Sequence, residues 1–269
     1  MNMRIYPFIV MIICLVACTN QSSKYWKPYD ETAELQANQT HENPRMQFQL
    51  IQSKLLDKNE LWSTYEKALN RFGEDQYKAL HPLIIEQDIP TLQSHIKSGL
   101  LSYEKLTLFY LYRIRKLESD PNTTLHAILA LNPMVIEQAK AKDRQKNTQH
   151  HPIFGMPILL KDNINTQDMP TTAGAAFLQS HVPDNDAYIV SQLQAKGALI
   201  LGKVNLSEWA YYFCDGCPLG YSAVGGQTLN PYGRKVFESG GSSSGSGVAV
   251  AANYACLLYT SDAADELSC

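Results

Sequence analysis

The sequence predicts an α/β fold in which parallel strands alternate with helices. Three stretches carry that expectation. Pro157–Leu160 is a short continuous apolar run ending at Lys161, as a strand buried on both faces reads. Ala187–Lys196 places Ile189, Val190 and Leu193 on one helical face, with Gly197 as its stop. Ala198–Leu201 is a second apolar run. Strand, helix and strand in that order imply parallel pairing through a crossover.

The elements before this unit read as address and helical front. Arg4 precedes an apolar run from Ile5 to Val16, the n- and h-regions of a secretory signal. The run ends in Leu15-Val16-Ala17-Cys18, which resembles a bacterial lipobox. Residues 1–17 are therefore expected to be a lipoprotein signal peptide and Cys18 the lipid acceptor. Thr19 follows Cys18, and the absence of Asp there points to the outer membrane, facing the periplasm. Two or more acyl chains on one cysteine suffice for stable anchoring. Residues 18–45 are polar with few aliphatics and are expected to form a tether.

Phe48, Ile51, Leu55, Trp62, Tyr65 and Leu69 fall near helical spacing, with a weak point around Asp57–Glu60. Ile89–Gly99 reads as a short helix. Ser102 can cap the next one, whose inner face is Leu106, Phe109, Tyr110, Arg113, Ile114 and Leu117. Asn132-Pro133 predicts a helix running to about Lys146.

Composition removes several functions. The chain of 269 residues has a net charge of -3 and 45% apolar residues, enough to build a sizeable core. It has no basic block to track a phosphate backbone, so no nucleic-acid partner is expected. No apolar stretch reaches the roughly 18–20 residues of a spanning helix, which leaves the lipid as the membrane attachment. Cys214 and Cys217 form a C-x-x-C without a second such pair, and Gly216 and Pro218 favour a loop. A local disulfide or inert thiols fit better than zinc or redox chemistry there.

Chemistry concentrates at two places. The run Gly240-Gly241-Ser242-Ser243-Ser244-Gly245-Ser246-Gly247 leads into Val248–Ala252. Such a run alone reads as a linker, but linkers rarely enter an apolar helix directly, and a Gly/Ser loop there aims backbone N–H groups at an anion. No Gly-Lys-Ser/Thr follows, which excludes a Walker A loop, and Val250 stands where a dinucleotide fingerprint needs Gly. Gly241-x-Ser243-x-Gly245 matches a nucleophile elbow, yet His181 is the last histidine and no His follows the serine. Lys161 is the second place. Its plain reading is a surface lysine beside Asp162. Its other reading is a desolvated base at the carboxyl end of a buried strand.

Taken together, "GMPILLKDNI" and "GGSSSGSGVAVAAN" resemble the amidase signature family of serine hydrolases. Pro170–Gly174, Asp186-Ala187, Gly197–Glu208 and Gly225–Thr228 agree with it. The resemblance covers about Ile89–Ala255. It implies the amidase signature fold, a mixed central β-sheet covered by helices, and a Ser–cis-Ser–Lys triad acting through an acyl-enzyme on a small-molecule or peptide amide. Lys161 matches the base and Ser242 the relay serine, entered through a cis peptide. The resemblance implies no cofactor and no metal.

The sequence then departs from the pattern. The family's nucleophile follows the relay serine by about two dozen residues, within a Gly-Ser turn that builds the oxyanion hole. That count lands near Glu266, and neither Ser261 nor Ser268 follows a glycine. Cys256–Glu266 reads CLLYTSDAADE, like the in-frame translation of a transposase-type sequencing adapter. Residues 46–255 are thus expected to be the N-terminal part of an amidase domain truncated before the nucleophile, and 256–269 a non-native tail. Amide transfer, as in tRNA-dependent relatives, and a non-catalytic anchored binding protein are the competing functions. The aromatic cluster Trp209, Tyr211, Tyr212 and Phe213 is expected to pack in the core.

Mass spectrometry of protein expressed in a bacterial envelope is expected to find a lipid-modified Cys18 N-terminus. Cys18→Ala is expected to accumulate as uncleaved precursor, and cleavage at another site would contradict the anchor.

Overall fold

The computed structural model describes residues 25–145, 149–213 and 216–260. The signal peptide, Cys18, Cys214, Ser261, Ser268 and the expected place of the nucleophile lie outside these residues.

Residues 25–45 are not a loose tether. Trp26 is buried, with its ring edge-on to Tyr29 and His126 and the Lys58 ammonium 4.3 Å over its face. The buried Glu31 carboxylate accepts from the Gln52 backbone N–H at 2.8 Å and its side-chain amide at 2.9 Å. Helix α1 (Thr32–Asn38) follows. The segment docks through the buried Trp26 ring and through polar side chains, neither of which a count of aliphatics registers.

The expected helical face from Phe48 to Leu69 is also corrected. Phe48 and Ile51 are buried on non-helical chain, and Gln52 bridges to Gly226. Helix begins only at α2 (Lys58–Ser63), where the Asp57 carboxylate accepts from the Asn59 N–H. Helix α3 (Glu66–Ile84) is broken at Gly73, whose φ is 66°. Helix α4 (Ile89–Lys97) is capped by Asp88, and α5 (Tyr103–Glu118) by Ser102, whose hydroxyl accepts from the Lys105 N–H at 3.1 Å. Strand β1 (Ile128–Leu131) precedes α6 (Val135–Asp143). That helix starts two residues beyond Pro133, because the Asn132 side chain is tied to the Ile200 carbonyl as well as to the Met134 N–H.

The predicted parallel unit forms as β2 (Pro157–Lys161), α7 (Tyr188–Ala195) and β3 (Leu199–Val204). A small antiparallel pair, β4 (Tyr221–Ser222) and β5 (Gly226–Gln227), precedes α8 (Ser244–Ala251) and β6 (Leu257–Tyr259). The main sheet has the order β1-β3-β2-β6. Strand β2 is parallel to β3 and β6, whereas β1 is antiparallel to β3. The fold is therefore a mixed sheet covered by helices. Leu159, Leu199, Leu201 and Val204 face a large core with Phe109, Ile114, Val135 and Val248. Ile158, Leu160 and Ile200 face a smaller one with Val190 of α7. Leu257–Tyr259 fall within the expected non-native tail and occupy the sheet edge beside β2. A short apolar run meets the backbone needs of that edge whatever its origin.

Below the large core lies a buried polar cluster. Lys58 donates to the Glu118 carboxylate at 3.0 Å, and that carboxylate also accepts from the His126 and Ala127 N–H groups and from Tyr254 Oη. Burial pushes the Glu118 carboxyl up, but the Lys58 charge and these hydrogen bonds pull it below its ordinary value. His126 is buried with neither ring nitrogen hydrogen-bonded, and its φ is 51°. Burial, then the nearby Lys58 and Arg234 charges, hold its imidazole well below the usual 6.5.

His126 is neutral when folded and takes up a proton more readily when unfolded. Its contribution to stability is complete above the unfolded value and is lost as the pH falls below it. The slope approaches about 1.4 kcal/mol per pH unit. Denaturant melts are expected to show His126 costing about 1.4 kcal/mol in all between pH 7.5 and 5.5, with most of the loss below pH 6.5. His126→Asn, which tolerates the left-handed backbone, is expected to flatten this dependence.

Candidate active site

Lys161 closes β2, and alternation along the strand turns its side chain toward α8. It is fully buried, which overturns the surface-lysine reading. Its Nζ donates to Ser242 Oγ at 2.8 Å and to Ser243 Oγ at 2.9 Å. Ser243 Oγ in turn shares a hydrogen bond with Thr260 Oγ1 at 2.7 Å. The two residues singled out in the sequence, 81 positions apart, therefore meet. The Gly241–Ser242 peptide is cis.

The Gly/Ser run is a structured entry to α8 and not a linker. The Ser242 carbonyl accepts from the Ser207 N–H at 3.0 Å, and the Gly245 N–H donates to the Asn205 carbonyl at 3.0 Å. A Cβ on Gly245 would stand 2.3 Å from that carbonyl oxygen, so only glycine lets the helix approach the end of β3 this closely. Asn205 is itself fully buried. Its amide donates to the His126 and Gly226 carbonyls, and its Oδ1 accepts from Ser222 Oγ at 2.7 Å. Asn205, just past β3, thus ties the chain entering β1 to β4 and β5 at the point where the serine loop rests.

The opposite face of the β2 end carries a second polar group. Asp162 is buried and pairs with the buried Lys203 of β3, Oδ1 to Nζ 3.3 Å. The other carboxylate oxygen accepts from the Thr172 N–H at 3.1 Å and from the Thr172 hydroxyl. Lys203 Nζ also donates to Thr171 Oγ1 at 2.9 Å and to the Pro170 carbonyl at 3.3 Å. Burial pushes the Asp162 carboxyl up and the Lys203 amine down, each partly offset by the other's charge.

Sequence reasoning gave roles to Lys161 and Ser242, set Ser243 aside with the failed nucleophile elbow, and gave no role to Asn205, Ser207, Lys203 or Thr172. Their signal was present as polar residues in and just after an apolar strand: Lys203, Asn205 and Ser207 alternate from β3 onward, and all are buried. The expected core packing of the aromatic cluster is overturned. Tyr212 is 80% and Phe213 74% exposed, Trp209 and Tyr211 are partly exposed, and Trp209, Ala210 and Tyr211 have positive φ. Three successive left-handed residues swing these rings outward. Cys217 is disulfide-bonded, and its expected partner Cys214 lies outside the described residues. Among the described residues no group of three or more His, Cys, Asp or Glu side chains is arranged to hold a metal ion.

A buried lysine hydrogen-bonded to a serine at the carboxyl end of a parallel strand, beside a Gly/Ser helix entry, narrows the comparison with known proteins. The family model described as Amidase matches residues 105–265, more than half of the sequence and past Ala255. The chain belongs to the amidase family. It is 42% identical over 175 residues to a probable amidase from Arabidopsis thaliana, covering 63% of this chain and 33% of the relative. It is 34% identical over 179 residues to a glutamyl-tRNA(Gln) amidotransferase component from Exiguobacterium sibiricum, covering 66% of this chain and 35% of the relative. Among solved structures, an amidase family protein from Bacillus anthracis superposes with a TM-score of 0.72 at 37% identity. It covers 77% of this chain and 42% of that one. A peptide amidase from Stenotrophomonas maltophilia gives 0.59 at 44% identity, covering 64% of this chain and 35% of that one. The chain spans about a third of the length of the curated relatives it matches.

Gly245→Ala is expected to force α8 away from Asn205 and to destabilise the fold by about 1–3 kcal/mol, the usual cost of overpacking. A melting temperature equal to the parent's would show that the contact is not needed.

Proposed function

We propose that the whole protein, of which this chain is one part, is an amidase that hydrolyses a carboxamide C–N bond through a Ser–cis-Ser–Lys triad. The observation that carries this reading is the buried 2.8 Å hydrogen bond between Lys161 Nζ and Ser242 Oγ. In this scheme the nucleophilic serine, the third member, attacks the amide carbonyl carbon. Its proton passes to Ser242 Oγ as the Ser242 proton moves to Lys161 Nζ. The tetrahedral intermediate collapses with cleavage of the C–N bond, and the relay returns the proton to the leaving nitrogen. Water then hydrolyses the acyl-enzyme by the same route in reverse. Lys161 must enter unprotonated, whereas a free lysine titrates near about 10.4, so its surroundings have to favour the neutral amine.

Hydrolysis suits the sequence better than amide transfer. The leader read in residues 1–17 and the lipid site at Cys18 would place the protein in the cell envelope, away from charged tRNA. A small-molecule or peptide amide is the substrate class, in keeping with the peptide amidase likeness. For the 269-residue chain itself we propose inactivity, because no serine after Ser246 follows a glycine to supply the nucleophile and its oxyanion turn.

A fluorophosphonate probe is expected to label the protein encoded by the uninterrupted gene and not the 269-residue chain. In the former, Lys161→Ala is expected to abolish most turnover of amides and Ser242→Ala a comparable or smaller share. An unchanged rate in Lys161→Ala at every pH would refute the triad. Stoichiometric labelling of the shorter chain at Ser261 or Ser268 would refute its inactivity.

A further inference from the structure

Pleating puts Lys161 on one face of the sheet and Asp162 on the other. Leu160 pairs in register with Lys203, and Lys161 with Val204, so Lys203 lies on the Asp162 face. The ion pair therefore sits directly behind the amine that meets Ser242. It is fully enclosed: Lys203 is 0% and Asp162 1% exposed. A buried pair of this kind is weak evidence for stability, since its desolvation offsets most of its attraction, and holding a geometry is its better attested use.

Here the geometry held is that of the chain leaving β2. Past Lys161 the strand has lost its ladder partner within two residues: the Asp162 N–H still bonds to the Val204 carbonyl, and the Ala173 N–H returns to the Asp162 carbonyl. Between those points the backbone makes an eleven-residue excursion, 162–172. The Asp162 carboxylate closes it by accepting from Thr172 twice, and the Lys203 amine closes it again through Thr171 Oγ1 and the Pro170 carbonyl. The two residues just past the excursion tie in neighbouring chain. Ala173 accepts from the Trp209 N–H and Gly174 from the Val224 N–H. The pair also leaves no uncompensated carboxylate one residue from Lys161.

We propose that Lys203, acting through Asp162 and the Thr171–Thr172 turn, is a positioning residue that fixes Lys161 for proton transfer with Ser242. This rests on the amidase reading above. Lys203 touches neither serine and takes no proton in the reaction. It clamps the strand end from which the base projects, so its loss is felt in turnover and not in substrate binding.

The test uses the complete amidase carrying these residues, assayed on a simple amide well below each variant's melting temperature, with kcat and KM measured separately. Lys203→Met is expected to lower kcat by about 10- to 100-fold, with KM within about two-fold of the parent, the pattern of a lost transition-state arrangement. Adding Asp162→Asn to Lys203→Met removes the stranded carboxylate while keeping an acceptor for Thr172. It is expected to regain part of the lost kcat. Thr171→Val strands no charge, and it is expected to lower kcat several-fold at unchanged KM; it stands in if Lys203→Met does not fold. Lys161→Ala is the control in the same assay. If Lys161→Ala is inactive while Lys203→Met, or Thr171→Val in its place, keeps the parent's kcat and loses only melting temperature, the pair is structural and the proposal is overturned. If Lys161→Ala itself keeps full activity, the amidase assignment of the site fails first.

Discussion

An amine buried at the end of a parallel strand loses its hydration and must be met by oxygen acceptors or be strongly disfavoured. That constraint on Lys161 organises much of the molecule. The acceptors are Ser242 and Ser243, which come from a loop 81 and 82 positions away. To deliver them, α8 has to approach β3 closely enough for the Gly245 N–H to reach the Asn205 carbonyl. Asn205 in turn has to be anchored, which it is, by the chain entering β1 and by β4 and β5. The glycine at 245, the buried asparagine and the small antiparallel pair are consequences of placing one amine beside one hydroxyl.

The parallel unit was legible because its signals are strong and local. Two apolar runs flank an amphipathic helix with a glycine stop, and β2, α7 and β3 form within a few residues of the expected bounds. What the periodicity misread depends on contacts distant in sequence. Phe48 and Ile51 sit at helical spacing but are buried in non-helical chain, because Gln52 pairs with Gly226 and the Glu31 carboxylate takes the neighbouring N–H groups. Residues 25–45 dock through the Trp26 ring and through polar side chains. The aromatic run at 209–213 is turned outward by positive φ values, which hydrophobicity cannot reveal.

The site was half legible. Lys161 and Ser242 stand out because a lysine ending an apolar strand and a glycine-serine helix entry are each unusual. The residues that hold them were harder to find. Lys203, Asn205 and Ser207 look like ordinary surface residues until β3 and the chain just after it are known to be buried, whereupon each of these polar side chains requires a buried partner. Each has one: Asp162 for Lys203, Ser222 for Asn205, and the Gly220 N–H for Ser207. Two carboxylate-bearing clusters, Glu118 with Lys58 and Asp162 with Lys203, compensate their charges internally, so neither competes for the Lys161 amine.

The central claim is the proposed role of Lys161 as the base that meets Ser242, a role that requires a neutral amine. Nitrogen-15 NMR of the complete protein, labelled at the lysine side chains and assigned with Lys161→Arg, addresses it directly. The account predicts a Lys161 Nζ resonance at the position of a neutral amine near the pH of maximal turnover, displaced by Ser242→Ala. A Lys161 resonance that stays at the ammonium position throughout the active pH range would contradict it.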